Sequence, residues 1–432
     1  MGIRFLVKMA VITGCTISSV GLAYGEGYSL RLVHVFEATM DEAFVRRARS
    51  AGSTHVVSEF NLAGYTSDFD AETGAYLGHG DSTGGRLFKK LIAQFRLAES
   101  HGLRLIPEFQ TGSMHSAHWA HVNRNILYVD PGRPVPFVDA TCVDLGLQQC
   151  YTPVFAYNEA LDSTFARVMR IVAQAFQNAR LRFRHPQAYR YIDYVHIGHD
   201  EPATDKRQVG LAPGKSRSGA RWIWENVKAH GNVIRKESSI EGGYEYSSGQ
   251  GGICTEGVVA LMAHELQRRV TQIHTTDGME NAKVLLYADA WDPQHNGRLF
   301  GTSRLLSYPF VDSVREALVL VPWCYGIRFT RPGLGITKGW VYDEHISFTT
   351  LSENGYNFVV CFSLASGIDG EISSERRMRF DRNWHAMKAV PGSGKCLGFM
   401  AAAWARWDAT DPPKGFNTME MLHAKQSGSQ EH

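Results

Sequence analysis

The stretch that decides the fold is residues 191–202, whose sequence is YIDYVHIGHDEP. Its first seven residues are mostly β-branched and aromatic, which is typical of a strand buried on both faces of a parallel sheet. Gly198 interrupts this run, and Pro202 cannot donate a hydrogen bond to a continuing strand. Two adjacent carboxylates, Asp200 and Glu201, therefore follow the end of a buried strand. Because polar residues at the carboxyl ends of strands carry catalysis in α/β barrels, we predict that the chemistry lies here.

Strand-like runs recur along the whole chain and alternate with segments of helical apolar spacing. Predicted strands cover residues 30–36, 54–58, 103–109, 191–197, 283–289, 318–323, 357–362 and 396–402. This alternation predicts a closed (β/α)8 TIM barrel as a single domain over residues 26–432, with long loop insertions after strands three and four. An open doubly wound sheet is the alternative. No Gly-x-Gly-x-x-Gly or phosphate-loop signature is present to support that alternative.

Composition restricts the class of ligand. The 432 residues are 44% hydrophobic and 20% charged, which is ordinary for a globular protein. Lys and Arg total 45 against 43 Asp and Glu, giving a formal net charge of +2. This balance argues against a nucleic-acid partner, which would require a basic surface. We therefore expect a neutral or weakly charged ligand.

The N-terminus has the pattern of a secretory signal. Arg4 and Lys8 precede an uncharged segment at residues 9–23, and small residues follow at the positions that a signal peptidase reads. The uncharged segment is too short to span a bilayer comfortably. We predict an exported chain, periplasmic or extracellular, that begins near Glu26 and has no transmembrane helix. A lipoprotein-type cleavage before Cys15 is the alternative.

The remaining cysteines divide into two groups. Cys142 and Cys150 lie close together in a loop-like stretch, and export would allow a disulfide between them. Cys324, Cys361 and Cys396 lie in or beside strand-like runs, where we predict buried free thiols.

At residues 196–201 the sequence HIGHDE resembles the His-x-Gly-Gly-Asp-Glu motif of family 20 glycoside hydrolases, the β-N-acetylhexosaminidases. His199 stands in place of the second glycine. Residues 106–108 and Gly112 are similar to the family's Ile-Pro-Glu-Ile-Asp-x-Pro-Gly-His segment, with Gln110 where aspartate is expected. The resemblance covers most of residues 30–425.

The resemblance implies roles for both carboxylates. Glu201 corresponds to the general acid and base, and Asp200 to the residue that orients the 2-acetamido group, whose oxygen attacks the anomeric carbon with retention of configuration. The sequence agrees, because two adjacent carboxylates approach a sugar from one side, whereas a carboxylate nucleophile must face the acid at about 5 Å. The implied substrate is a glycan with a terminal β-linked N-acetylglucosamine or N-acetylgalactosamine. We predict no cofactor and no resident metal.

Indole rings and polar groups after other strands complete the predicted pocket. Flat apolar indole faces suit a pyranose ring and exclude water from the reacting carbon. Glu37 stands where the family has an arginine, and Arg406 where it has a glutamate. No clear match exists for the tyrosine and aspartate that the family places after strand seven. The candidate substrate-binding residues are His115, His196, Trp291, Asp292, Trp323, Trp404, Glu37, Arg406 and Asp408.

Two other functions remain open at this point. The barrel could bind glycans with lost or altered activity, because parts of the family's pocket are absent. Alternatively, His196, His199 and Asp200 could hold the metal of a metal-dependent hydrolase. A non-functional interpretation also exists, in which Asp200 caps a helix and Glu201 is solvated.

Overall fold

The computed structural model of the chain describes residues 28–78, 84–111, 118–127, 159–199, 256–288, 291–292, 302–323, 344–362, 374–390, 395–402, 422 and 425. Several predicted features lie outside these residues. They are the signal segment, most of both long insertions, Cys15, Cys142, Cys150, Cys324, and the site candidates His115, Asp200, Glu201, Trp404, Arg406 and Asp408.

Eight parallel strands form a closed barrel, in which each strand pairs with the next and the last pairs with the first. This confirms the predicted (β/α)8 architecture. The strands are β1 Leu30–Phe36, β2 His55–Glu59, β3 Arg104–Thr111, β4 Tyr194–Gly198, β5 Lys283–Tyr287, β6 Leu318–Val321, β7 Asn357–Phe362 and β8 Cys396–Ala402. The main shift is in β4, which begins three residues later than predicted.

Helices follow most strands and cover the outside of the barrel. They are α1 Glu42–Ser50, α2 Arg86–Ser100, α3 His118–Val122, α4 Glu159–Arg180, α5 Glu256–His274, α6 Asp312–Ala317, α7 Glu344–Glu353 and α8 Ser374–Lys388. Local chemistry explains their limits: the Asp41 carboxylate accepts a hydrogen bond from Phe44 N at 2.8 Å and so caps α1. No helix among the described residues is long and apolar enough to cross a membrane.

The apolar core has two parts, because successive side chains of a strand point to opposite faces. Leu32, Val57 and Ile106 belong to the cluster inside the barrel, whereas Val33 and Val56 pack outward against the helices. Cys361 and Cys396, which were predicted to be buried, are both buried.

Polar residues occupy the interior positions nearest the carboxyl ends of the first four strands. His34, Glu59, Glu108 and His196 are each two residues, or a multiple of two, from an inward-facing apolar residue of the same strand. Strand geometry therefore points all four side chains into the barrel near its mouth.

Candidate active site

Glu108 joins three strands at the mouth of the barrel. Its Oε2 lies 3.0 Å from His34 Nε2, and its Oε1 lies 3.2 Å from His196 Nδ1. Gln110 Nε2 also donates a hydrogen bond to Oε1 at 2.8 Å. Glu59 completes the group, with its Oε2 3.5 Å from His34 Nε2. We call His34, Glu59, Glu108 and His196 the mouth cluster.

The mouth cluster contains ionised groups in a nearly dry environment. The side chains of His34, Glu108 and His196 are fully buried, and that of Glu59 is 13% exposed. Burial by itself would raise the pKa of the Glu108 carboxyl, but His196 and His34 hold that pKa well below its usual range. Burial would lower the pKa of His34, but the carboxylates of Glu108 and Glu59 raise it to about 10. The buried charges therefore stabilise one another.

His196 Nδ1 has two neighbours that compete for it, Glu108 Oε1 at 3.2 Å and Gly198 N at 3.1 Å. One ring nitrogen cannot both donate to the carboxylate and accept from the peptide N–H. We assign the proton to Nδ1, because an ionised buried carboxylate needs a donor more than a peptide group needs an acceptor. Nε2 has no hydrogen-bond partner among the described residues.

The end of β4 has an unusual backbone. Gly198 has φ +74°, and a Cβ built there would lie 1.7 Å from Gln110 Oε1, so close packing and backbone conformation both require glycine. His199 has φ 70° and is the one residue other than glycine with positive φ in the described part of the chain. The backbone N–H of His199 donates to Thr111 O at 3.1 Å. The chain therefore leaves the barrel at His199 in a fixed direction, immediately before Asp200.

His199 itself lies in an apolar, electropositive environment. Its side chain is buried, and neither ring nitrogen has a hydrogen-bond partner among the described residues. Burial first, then Arg269 and His196, lower the pKa of His199 to about 3. The imidazole is therefore neutral at ordinary pH.

Of the predicted sugar-stacking residues, Trp323 and Trp291 differ in position. Trp323 follows β6 and packs, partly exposed, against the apolar cluster inside the barrel. Trp291 is fully buried in the layer between barrel and helices, where its ring stacks on Phe310 at 5.6 Å and meets the edge of Tyr356 at 5.2 Å. In this structure Trp291 is a core side chain, and sugar contact would require that packing to open.

The predicted polar contacts Asp292 and Glu37 bind other parts of the protein. Asp292 is buried and accepts a hydrogen bond from Ser347 Oγ of α7 at 2.7 Å. Glu37 Oε2 accepts from Tyr65 OH at 2.6 Å, and Gln94 Nε2 of α2 donates to the Glu37 backbone carbonyl at 2.9 Å. Burial raises the pKa of Glu37. Both residues lie near strand ends, as predicted, but tertiary partners hold their carboxylates.

His34 and Glu59 were not predicted as site residues, and Glu108 was predicted only as part of a motif. The sequence nevertheless contains a pattern that could have identified these three residues. Each is a charged or titratable residue at an inward-facing position of an otherwise apolar strand, where an ionisable side chain must find a partner. Alternation within strands could therefore have found all three.

Among the described residues, the side chains placed to hold a metal ion are His34, Glu59 and Glu108, whose ligand atoms lie within 4.8 Å of one another. This group does not include His196 or His199, which were predicted as alternative ligands. Asp200, the third residue of that alternative, lies outside the described residues.

No protein-family model matches the sequence, and no curated protein matches it. Solved structures do match. A family 20 β-N-acetylhexosaminidase from Streptomyces coelicolor is 13% identical, with a TM-score of 0.45 over 91% of this chain and 64% of its own. A Flavobacterium johnsoniae chitobiase is 10% identical, with a TM-score of 0.46 over 93% of this chain and 51% of its own. A family 5 xyloglucanase from Bacteroides ovatus is 12% identical, with a TM-score of 0.46 over 92% and 74%.

All three are glycoside hydrolases. They belong to more than one family of these enzymes, and the chain spans less than two thirds of the length of the first two. At such low identity the likeness concerns the fold, which the closed barrel already establishes.

Proposed function

We propose that the protein is an exported glycoside hydrolase that removes terminal β-linked N-acetylhexosamine, with Glu201 as general acid and base and Asp200 as the partner of the 2-acetamido group. The supporting observation is the backbone conformation at the end of β4. The strand lies in a closed barrel and ends in two left-handed residues, Gly198 and His199, directly before the two carboxylates. Glycine most readily adopts that backbone, and the resembling motif has glycine at both positions.

The proposed reaction proceeds in two steps. Glu201 gives its proton to the glycosidic oxygen as the bond to the anomeric carbon breaks, while the acetamido oxygen forms a new bond to that carbon. Asp200 holds the amide N–H and offsets the positive charge of the oxazolinium intermediate. Water then attacks the anomeric carbon and gives a proton to Glu201, while the bond from that carbon to the acetamido oxygen breaks; this restores the acetamido group and retains the configuration.

The mouth cluster supports this chemistry by fixing the strand that carries the carboxylates. Glu108 on β3 contacts His196 on β4, and Thr111 accepts the N–H of His199. Rigid pairing of the first four strands would hold the acid within the small positional tolerance that catalysis requires. Trp323 directly follows β6 and packs, partly buried, against the cluster inside the barrel, and its indole is proposed to stack on the sugar ring.

A comparison of two substrates tests the proposal. Rates are measured on matched nitrophenyl β-glycosides of N-acetylglucosamine and of glucose. We expect hydrolysis of the first and little of the second, because only the first supplies the nucleophile. Equal rates on both would overturn substrate assistance. Binding of the N-acetylglucosaminide without hydrolysis would favour a glycan-binding barrel.

Export is a separate part of the proposal, supported by the charge and length of residues 1–25. Intact-mass measurement of exported protein should give a chain that begins near Glu26. Retention of Met1 in exported material would contradict the proposed cleavage.

A further inference from the structure

Three side chains at the barrel mouth are chemically suited to a divalent cation. His34, Glu59 and Glu108 offer one imidazole nitrogen and two carboxylate oxygens from three consecutive strands. This mixture of one nitrogen and two oxygen ligands is common for Zn²⁺ and for neighbouring first-row metals. The strands are rigid elements of a closed barrel, so the positions are preorganised.

The distances within the cluster match those between ligands of one ion. His34 Nε2 lies 3.0 Å from Glu108 Oε2 and 3.5 Å from Glu59 Oε2. Metal–ligand bonds of about 2.0–2.2 Å in tetrahedral geometry separate neighbouring ligand atoms by about 3.3–3.5 Å. All three ligand atoms lie within 4.8 Å of one another, so an ion could enter the cluster with small movements of these side chains.

A second observation comes from Glu108 Oε2. This oxygen is fully buried, and it accepts no hydrogen bond from any described residue, although His34 Nε2 is 3.0 Å away. The two groups therefore meet as an ion pair. A buried carboxylate oxygen in that state normally has a further partner. A cation between the imidazole and the carboxylate would be such a partner.

Two further features of the cluster suit a metal centre: the orientation of the Glu108 carboxylate is fixed, and one ligand is partly exposed. Gln110 Nε2 donates to the other oxygen of Glu108 at 2.8 Å and so fixes the orientation of that carboxylate. Glu59 ends β2 and is the partly exposed ligand, so the uncovered side of the cluster is near the carboxyl ends of the strands. Three protein ligands with an open position are typical of a site that exchanges water or substrate oxygen.

We propose that His34, Glu59 and Glu108 bind one Zn²⁺ ion at the mouth of the barrel, where the ion takes the place of the proton that His34 otherwise carries. This proposal departs from the prediction of no resident metal. It is also distinct from the alternative site at His196, His199 and Asp200, and it does not depend on the proposed hexosaminidase activity.

Zinc binding to the full-length, chelator-treated protein tests the proposal. Isothermal titration with zinc chloride, together with elemental analysis after gel filtration, should give about one ion per chain. Glu59→Gln is the most informative variant, because this partly exposed residue can lose its charge with little effect on packing. We expect its zinc affinity to fall by at least about tenfold, and that of His34→Gln further. Far-UV circular dichroism checks that both variants fold.

His185→Gln is the matched control, since His185 is an exposed histidine away from the cluster. It should bind zinc as the unchanged protein does. Cobalt substitution gives a readout independent of activity, because visible absorption of Co²⁺ reports coordination by the cluster. The absence of stoichiometric zinc, or zinc affinity that is unchanged in folded Glu59→Gln, would overturn the proposal.

Discussion

His196 Nδ1 lies 3.2 Å from Glu108 Oε1, and this contact joins β4 to β3 close to the end of β4 at Gly198. The two residues are also register partners in the sheet. A side-chain contact therefore reinforces the backbone pairing at the point where the proposed catalytic strand ends. Loss of either residue should affect both the stability of the barrel and the position of the carboxylates.

Glu108→Gln should destabilise the protein strongly. The change removes the negative charge that compensates His34 inside the barrel, and breaking a buried ion pair costs about 3–5 kcal/mol. Denaturant unfolding measures the difference in the free energy of unfolding. The control is Glu72→Gln, at an exposed ion pair with Arg124, where we expect a change within about 0.5 kcal/mol. Equal effects of the two substitutions would show that the Glu108 charge is not needed.

Gly198→Ala should be more harmful than an ordinary substitution of a glycine with positive φ. Gly355 has φ +81° and open space around its missing Cβ, whereas a Cβ on Gly198 would collide with Gln110. Gly355→Ala therefore measures the backbone cost alone, about 1–2 kcal/mol. Gly198→Ala adds the collision, and thermal unfolding should show the larger loss. Equal losses would mean that Gln110 moves aside without cost.

Acid should destabilise the protein partly through His55. Burial first, then Arg104 and Arg31, lower the pKa of His55 to about 3, whereas an unfolded histidine has a pKa of about 6.5. The folded state keeps His55 neutral, so its contribution is fully present above about pH 6.5 and is lost as the pH falls towards 3, because the unfolded chain takes up the proton.

Unfolding free energies at several pH values test this effect of His55. The unchanged protein should lose up to about 1.4 kcal/mol per pH unit from this group, and His55→Gln should have a correspondingly shallower slope. Parallel pH curves for the two proteins would contradict the shifted pKa. His199, whose pKa is lowered to about 3 for similar reasons, contributes to both curves and cancels in the comparison.

Glu201→Gln should lower kcat on an unactivated N-acetylhexosaminide by about 10²–10⁴-fold, the usual contribution of general acid–base catalysis. Substrates with very good leaving groups should be affected less, because they need less protonation. Asp200→Asn should lower kcat more than it raises KM, since it removes charge stabilisation in the transition state. Near-native kcat of Glu201→Gln on the unactivated substrate would exclude the proposed role.

The two tryptophans should respond differently to replacement by alanine. Trp291 is fully buried, so Trp291→Ala should reduce the free energy of unfolding by about 3–5 kcal/mol. Trp323 is partly exposed above the barrel interior, so Trp323→Ala should mainly raise KM. Denaturant unfolding and steady-state kinetics on both variants measure the contrast. A raised KM for folded Trp291→Ala with unchanged stability would support the predicted sugar contact of Trp291.

The sequence by itself determined the barrel. Strands buried on both faces consist of nearly continuous apolar runs, so each strand is visible in its own residues, and β1, β7 and β8 have the predicted limits. Helices with an apolar stripe, such as α4, were equally visible. No helix was predicted at α8, whose sequence SERRMRFDRNWHAMK is polar on most sides and depends on tertiary packing for its stability.

Only the tertiary structure decided which polar residues meet. His34, Glu59, Glu108 and His196 are far apart along the chain, and barrel closure brings β1 beside β2 and the others into one interior. Likewise, Phe310 and Tyr356, which come from later parts of the chain, pack against Trp291 and bury its indole. Periodicity reports which face of its own element a residue occupies. It carries no information on the partners that other elements bring to that face, because those contacts depend on the closure and register of the whole barrel.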